Sequence, residues 1–225
     1  MTIVAISQSN YLPWKGYFQL ISKADIFVFY DTADFTKRDW RSRNKILGPN
    51  GLQWMSIPVG SNRGKSIQEV LLPEGEWREN HLETIRRNYS KAPCINDVMS
   101  IVLPVYEDKT ITTLSSFNQS LIQQICAYLD IETKFRNASE FKHVGDRVEK
   151  LISICHQLDA TIYLSAPAAK NYISDEFDRT ELILEWMEYG PFDPYEQNIE
   201  PFSDYVSIID TIAALGPKTR EHILL

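Results

Sequence analysis

The chain has 225 residues, 44% of them hydrophobic, and its 23 Lys and Arg against 30 Asp and Glu give a formal charge of −7. That is enough chain to bury a core, and the composition excludes a disordered polypeptide. No window approaches the roughly 20 apolar residues of a membrane span, and MTIVAISQSNYLPW lacks a signal peptide's basic and apolar regions, so a soluble cytoplasmic protein is expected.

In chain order, Thr2–Ser7 is a β-branched apolar run that predicts a buried strand, followed by a loop, Gln8–Trp14, broken by Asn10 and Pro13. From Lys15 the spacing turns helical, with Tyr17, Leu20, Ile21 and Ala24 on one stripe, and Ile26–Tyr30 predicts a second buried strand. This order is a βαβ unit with parallel strands and a right-handed crossover. Ligands of open α/β sheets gather outside the carboxyl ends of the strands, so Gln8–Trp14 and Asp31–Arg43 should approach one crevice. Asn44–Leu47 and Leu52–Val59 flank the turn Gly48-Pro49-Asn50-Gly51 and predict a hairpin. Ile67–Leu72 reads as a strand, Glu76–Lys91 as a helix, and Pro93 and Pro104 as brackets of a short helix. Thr113–Leu129 is an amphipathic helix. Then come strand Lys134–Ala138, helix Asp146–Leu158, strand Thr161–Ser165, a short helix near Ala168–Ile173 and strand Leu182–Met187. Tyr189–Phe202, rich in Pro and aromatics, should be irregular, and Asp204–Leu215 should close the chain as a helix stopped by Gly216-Pro217. The expected fold class is α/β: a Rossmann-like, mostly parallel sheet with a helical insertion and a helical C-terminus. One domain over 1–225 is expected: a βαβ unit plus hairpin (1–72), the insertion (76–130) and a C-terminal α/β part (131–225).

Charge is unevenly spread. Residues 1–91 hold 13 basic against 9 acidic side chains, and residues 92–225 hold 10 against 21. An acidic protein with a local basic cluster suits a small anionic ligand, and DNA is not an expected partner. A solvated basic face is the bland alternative.

Two segments carry candidate chemistry. In Gln8-Ser9-Asn10-Tyr11-Leu12-Pro13-Trp14-Lys15-Gly16, amides follow a buried strand and Gly16 would permit close approach to a ligand, while Tyr11 or Trp14 could stack on a base or sugar. Trp14 could equally be a core residue pinning the helix. In Lys37-Arg38-Asp39-Trp40-Arg41-Ser42-Arg43-Asn44, Arg forks and a Lys point charge suit a diphosphate, and Asp39 should orient a neighbouring Arg. Trp40 is either a core plug or a stacking surface. The loop Gly60–Ser66 is spaced wrongly for a phosphate-binding P-loop. His81, beside Arg78, is the best-placed general base among four histidines, although a structural histidine is the commoner outcome. Tyr89 and Ser165 are further substrate-binding candidates, Ser165 because it ends a strand. No His or Cys set has metal-ligand spacing, and the three cysteines, odd in number and dispersed, form neither a disulfide framework nor a zinc pattern.

Gln8-Ser9-Asn10-Tyr11-Leu12-Pro13-Trp14 with Gly16-Tyr17-Phe18, then Lys37-Arg38-Asp39-Trp40 with Arg43-Asn44, resemble the WbqC-like protein family. Trp54 with Pro58-Val59, His81 with Tyr89–Pro93, Tyr163-Leu164-Ser165 and Ser207–Asp210 extend the resemblance over nearly the whole chain. Ser9 stands where the family often has proline, and Ala166 where glycine usually follows Tyr-Leu-Ser. The resemblance implies a part in bacterial O-antigen and other surface-polysaccharide biosynthesis, with acyl or aminoacyl transfer to the amine of a nucleotide-linked amino sugar. The implied partners are that nucleotide sugar and an acyl or aminoacyl donor, carried by another macromolecule in one version. ATP with magnesium, or an activated acyl donor, would drive the transfer. In the reading that follows, His81, Lys37 and Asn10 are the catalytic candidates. Gln8, Tyr11, Trp14, Gly16, Arg38, Trp40, Arg41, Arg43, Asn44, Tyr89 and Ser165 would bind substrate. The alternatives are a non-catalytic nucleotide-sugar-binding or scaffold protein and, third, a protein that binds transfer RNA as aminoacyl donor.

Overall fold

The computed structural model describes residues 1–173, 175–197 and 201–224. Its centre is strand β1 (Ile3–Ser7), which pairs in parallel with β2 (Ile26–Phe29) on one side and β6 (Ile162–Ser165) on the other. β5 (Lys134–Asn137) extends the sheet beyond β2, and β7 (Ile183–Trp186) extends it beyond β6, every pairing parallel. The order β5-β2-β1-β6-β7 is that of a doubly wound α/β sheet, so the expected Rossmann-like class holds. A separate antiparallel hairpin, β3 (Arg43–Gly48) and β4 (Gly51–Ser56), lies outside this sheet.

Alternation along β1 divides the core between two faces. Ala5, Phe27 and Phe29 pack on the side of α1 (Lys15–Ser22), together with α2 (Trp77–Asn88), α3 (Ile95–Glu107), α4 (Leu114–Tyr128) and α6 (Ile208–Leu215). Val4, Ile6 and Val28 face α5 (Arg147–Gln157), whose Val148, Leu151, Ile154 and Cys155 fill the other side. The short α7 (Thr219–Ile223) packs against α1. Among the described residues no helix is long and apolar enough to cross a membrane.

Four expectations change. Ile67–Leu72 is not a strand: Ile67–Glu69 is a 3-10 turn, because Ser66 and Glu69 form a reciprocal capping box, and Leu71 makes only an isolated bridge to Thr113. The helix expected between Pro93 and Pro104 runs on to Glu107, with Pro104 near its C-terminal end. The closing helix starts at Ile208, not Asp204, because the Ser207 hydroxyl accepts the Ile209 N–H and caps it. The short helix near Ala168–Ile173 is a 3-10 turn, Pro167–Asn171. Tyr189–Phe202 is irregular where described, and residues 198–200 of it lie outside the described residues.

Candidate functional site

The loop between β1 and α1 is held from three directions. The Ser9 N–H and hydroxyl donate to the buried Asp31 carboxylate at 2.8 and 2.7 Å, joining the ends of β1 and β2. Ser115 (2.5 Å) and Gln119 (3.1 Å) of α4 donate to the same carboxylate, and Asn118 donates to the Ser9 and Arg41 carbonyls. A buried carboxylate needs this many donors to remain in place. The Asn44 amide, itself buried, donates to the Leu12 carbonyl at 2.7 Å, and the Tyr11 N–H donates to the Trp40 carbonyl. The two sequence segments expected to share a crevice are thus stitched together. Asp31 is the residue that sequence reasoning left out; its only signal was its place at the end of an apolar strand.

With Ser9 buried, the loop borders a cavity on each side. The larger, about 750 Å³, opens where β1 and β6 part company, the switch point at which ligands of such sheets bind. Gln8 and Ser165 line its floor with Thr32, whose buried hydroxyl has no hydrogen-bond partner. Its walls bring in Tyr30, Tyr172, His143, Arg147 and Lys150, with Asp34 the only acid among the described residues that line it. Arg147 lies 3.5 Å over the Tyr172 ring, and neither Arg147 nor Lys150 forms an ion pair among the described residues. Burial raises the Tyr30 phenol above its usual value, and Arg147 partly offsets this. The His143 Nε2 lies 2.7 Å from the Ala138 carbonyl and its ring stacks on Tyr30. None of these helix α5 residues stood out in the sequence, because nothing local links position 147 to position 8.

The smaller cavity, about 180 Å³, lies on the other side, between Asn10, Pro13, Trp14, Trp40, Asn44 and Tyr205. Arg41 borders it through a 3.3 Å hydrogen bond to Asn10 Oδ1, but its guanidinium is otherwise spent on Asp39, the orienting pair that the sequence suggested. Arg43 lies 4.1 Å over the Trp54 ring. Lys37 and Arg38 alone in the basic cluster are exposed and free of ion pairs among the described residues.

Other candidates have packing roles in this geometry. Tyr11 is fully buried, with its hydroxyl between His81 Nδ1 (2.9 Å) and the Tyr106 hydroxyl. The His81 Nε2 lies 3.2 Å from the Ser56 carbonyl, which can only accept, so Nε2 carries the proton and Nδ1 accepts from Tyr11. Burial lowers the His81 pKa to about 4. With both nitrogens engaged and neither cavity lined by its ring, His81 has no free lone pair for substrate. The buried Tyr89 hydroxyl accepts the Leu47 N–H at 3.0 Å. At Gly16 a Cβ would stand 2.3 Å from the Trp14 ring, so the missing side chain makes room for tryptophan.

Lys15, at the start of α1, is 1% exposed. Its Nζ lies 2.6 Å from Asp204 and over the rings of Phe192 (4.7 Å), Tyr195 (5.2 Å) and Phe202 (5.5 Å), although neither charged atom completes a directed hydrogen bond. This lysine fastens the irregular C-terminal segment to α1. Nearby, burial raises the Asp210 pKa, opposed by hydrogen bonds from Tyr195 (2.6 Å) and Gln197 (2.7 Å).

The chain is an α/β protein with a doubly wound sheet and, at the switch point of that sheet, a crevice lined by Arg147 and Lys150. The chain belongs to the WbqC-like protein family, which matches residues 8–222. It is 36% identical over 227 residues to the uncharacterized protein Rv1507c of Mycobacterium tuberculosis, covering 99% of this chain and 98% of the mycobacterial one.

Proposed function

We propose that this protein is an enzyme of bacterial surface-polysaccharide (O-antigen) biosynthesis that transfers an acyl or aminoacyl group to the amine of a nucleotide-linked amino sugar. The observation that carries the reading is the switch-point crevice, where Arg147 and Lys150, without an ion pair among the described residues, face the polar ends of β1 and β6. Its volume falls within the usual range for organic ligands. Arg147 and Lys150 would hold the diphosphate, the Tyr30 and Tyr172 rings the base, and Gln8, Thr32 and Ser165 the hydroxyl groups. Lys37 and Arg38 follow Thr36, which lines the crevice, and would add positive charge at its edge.

In the transfer, the sugar amine attacks the acyl carbonyl carbon. The bond from that carbon to the donor's leaving group breaks, the leaving group departs with the electron pair, and the amine proton passes to solvent. An activated acyl donor suffices for this balance; a free carboxylate would first need ATP with magnesium. One observation favours the alternative, a non-catalytic nucleotide-sugar-binding protein. His143, the histidine of the crevice, has its Nε2 turned to the Ala138 carbonyl, and the crevice holds no nucleophile–base pair among the described residues.

Calorimetric titration with a nucleoside diphosphate and with a nucleoside-diphosphate amino sugar tests the site. Arg147→Ala should weaken both by about tenfold or more, as expected for a charged hydrogen bond of about 1.5–3 kcal/mol. Unchanged affinity would remove the crevice from consideration. Mass spectrometry with acyl donors, with and without ATP, then separates turnover from binding alone.

A further inference from the structure

The smaller cavity has a chemistry of its own. Among the described residues the chain exposes three large aromatic side chains: Trp40 (46%), Trp54 (45%) and Tyr205 (76%). All three gather at this corner. Trp40 and Tyr205 wall the cavity with Trp14 and Pro13, and the Trp54 ring lies 5.6 Å from that of Trp40. Trp14 and Tyr205 stack at 6.3 Å. Exposed aromatic surface concentrated at a concave site marks a place of contact, whereas isolated exposed residues do not.

The polar groups narrow the ligand. Asn10 spends its Oδ1 on Arg41, and its NH₂ group donates to nothing among the described residues. Asn44 is fully used: its Nδ2 donates to backbone carbonyls and its Oδ1 accepts the Lys45 N–H. None of the six lining side chains is charged, and neighbouring Arg41 is paired with Asp39. A phosphate would find no cation among the side chains that line the cavity, and a purely apolar guest would strand the Asn10 amide. At about 180 Å³ the cavity is below the usual range for drug-sized ligands and has room for one small ring. A pyranose meets every condition: its C–H face lies against indole or phenol, and its hydroxyls accept from an amide at the edge.

We propose that the cavity between Trp14, Trp40, Tyr205 and Asn10 binds one neutral pyranose ring. The proposal stands apart from the function proposed above, because a sugar fits this cavity whether or not a nucleotide occupies the crevice. The ring comes either from the nucleotide-linked ligand or from the end of a glycan.

The full-length protein is titrated with a panel of methyl glycosides of hexoses and N-acetylhexosamines, without nucleotide. Tryptophan fluorescence and saturation-transfer NMR report binding. At least one glycoside should bind with millimolar affinity, with saturation strongest on the C–H protons of one ring face. Trp40→Ala and Tyr205→Ala remove exposed side chains, which keeps folding intact, and each should weaken that glycoside by about fivefold or more. Asn10→Ala should weaken it severalfold and reduce discrimination among hydroxyl configurations. If no glycoside in the panel binds, or if one binds equally well to Trp40→Ala, Tyr205→Ala and Asn10→Ala, the proposal is wrong. Titration with the nucleoside diphosphate alone tests the crevice separately, so either reading can fail while the other survives. The source of the ring shows in competition. Displacement of the glycoside by an intact nucleotide sugar assigns the ring to that ligand, and simultaneous binding assigns it to a glycan; both outcomes uphold the site.

Discussion

The fate of His81 follows from two short contacts. The ring gives its one proton to the Ser56 carbonyl and its one lone pair to Tyr11, so it is neutral and fully occupied. Burial lowers its pKa to about 4 in the folded chain, against about 6.5 when unfolded. The unfolded state therefore binds the proton first as pH falls. Above about pH 6.5 the stabilisation is complete, and it is lost between there and about pH 4, on the order of 3 kcal/mol. Urea denaturation of the native protein and His81→Gln across this range checks it. The stability gap between the two should narrow on acidification, and a constant gap would contradict a buried neutral ring. Sequence reasoning singled out Tyr11 and His81 but could not assign their partners. Tyr11 meets Tyr106 across 95 positions, and a histidine's role depends on what takes each nitrogen.

At the scale of elements, the β1–α1 loop and the first turn of α1 are shaped by residues far down the chain. Trp14 packs against Tyr189, Phe192 and Tyr205, and the glycine two positions later leaves the space its ring fills. Gly16→Ala should push the ring out of place at a cost of about 1–3 kcal/mol, the usual range for overpacking. A lower thermal midpoint with altered tryptophan emission would show it; an unperturbed emission spectrum would count against the assignment. Lys15 acts in the same contact. Lys15→Ala removes a desolvated cation from three rings and from Asp204, and should cost about 2 kcal/mol or more in chemical denaturation. A change below about 0.5 kcal/mol would show that the segment is held without it. The sequence offered Trp14 as either a stacking surface or a core residue pinning the helix, and Gly16 as a point of close approach to a ligand. It could not name the packing partners, because the rings around Trp14 and Lys15 lie some 180 positions away.

For the whole molecule, the helical insertion shares one apolar cluster with α1 and the sheet, from Ala5 and Phe27 through Ile85, Val102 and Phe117 to Ile212. We predict that the chain unfolds as one cooperative unit, with matching calorimetric and van't Hoff enthalpies despite its length. Two resolved transitions would separate the insertion from the sheet. The uneven charge also takes on a different meaning. The basic cluster of residues 37–45 is largely spent on Asp39 and Trp54, while the acidic C-terminal half contributes Arg147 and Lys150 to the larger cavity.

The alternation of apolar strands and amphipathic helices, the hairpin turn and the family resemblance were all legible in the sequence, because periodicity and turn chemistry act over a few residues. The α/β class and the central place of the β1–α1 loop followed from them. Only the tertiary structure decided that this loop separates two cavities, that Asp31 ties it down, and that the cations of the crevice come from α5. Those outcomes depend on β1 pairing with β6 across about 160 positions, and no local pattern encodes which distant side chains such a pairing brings together.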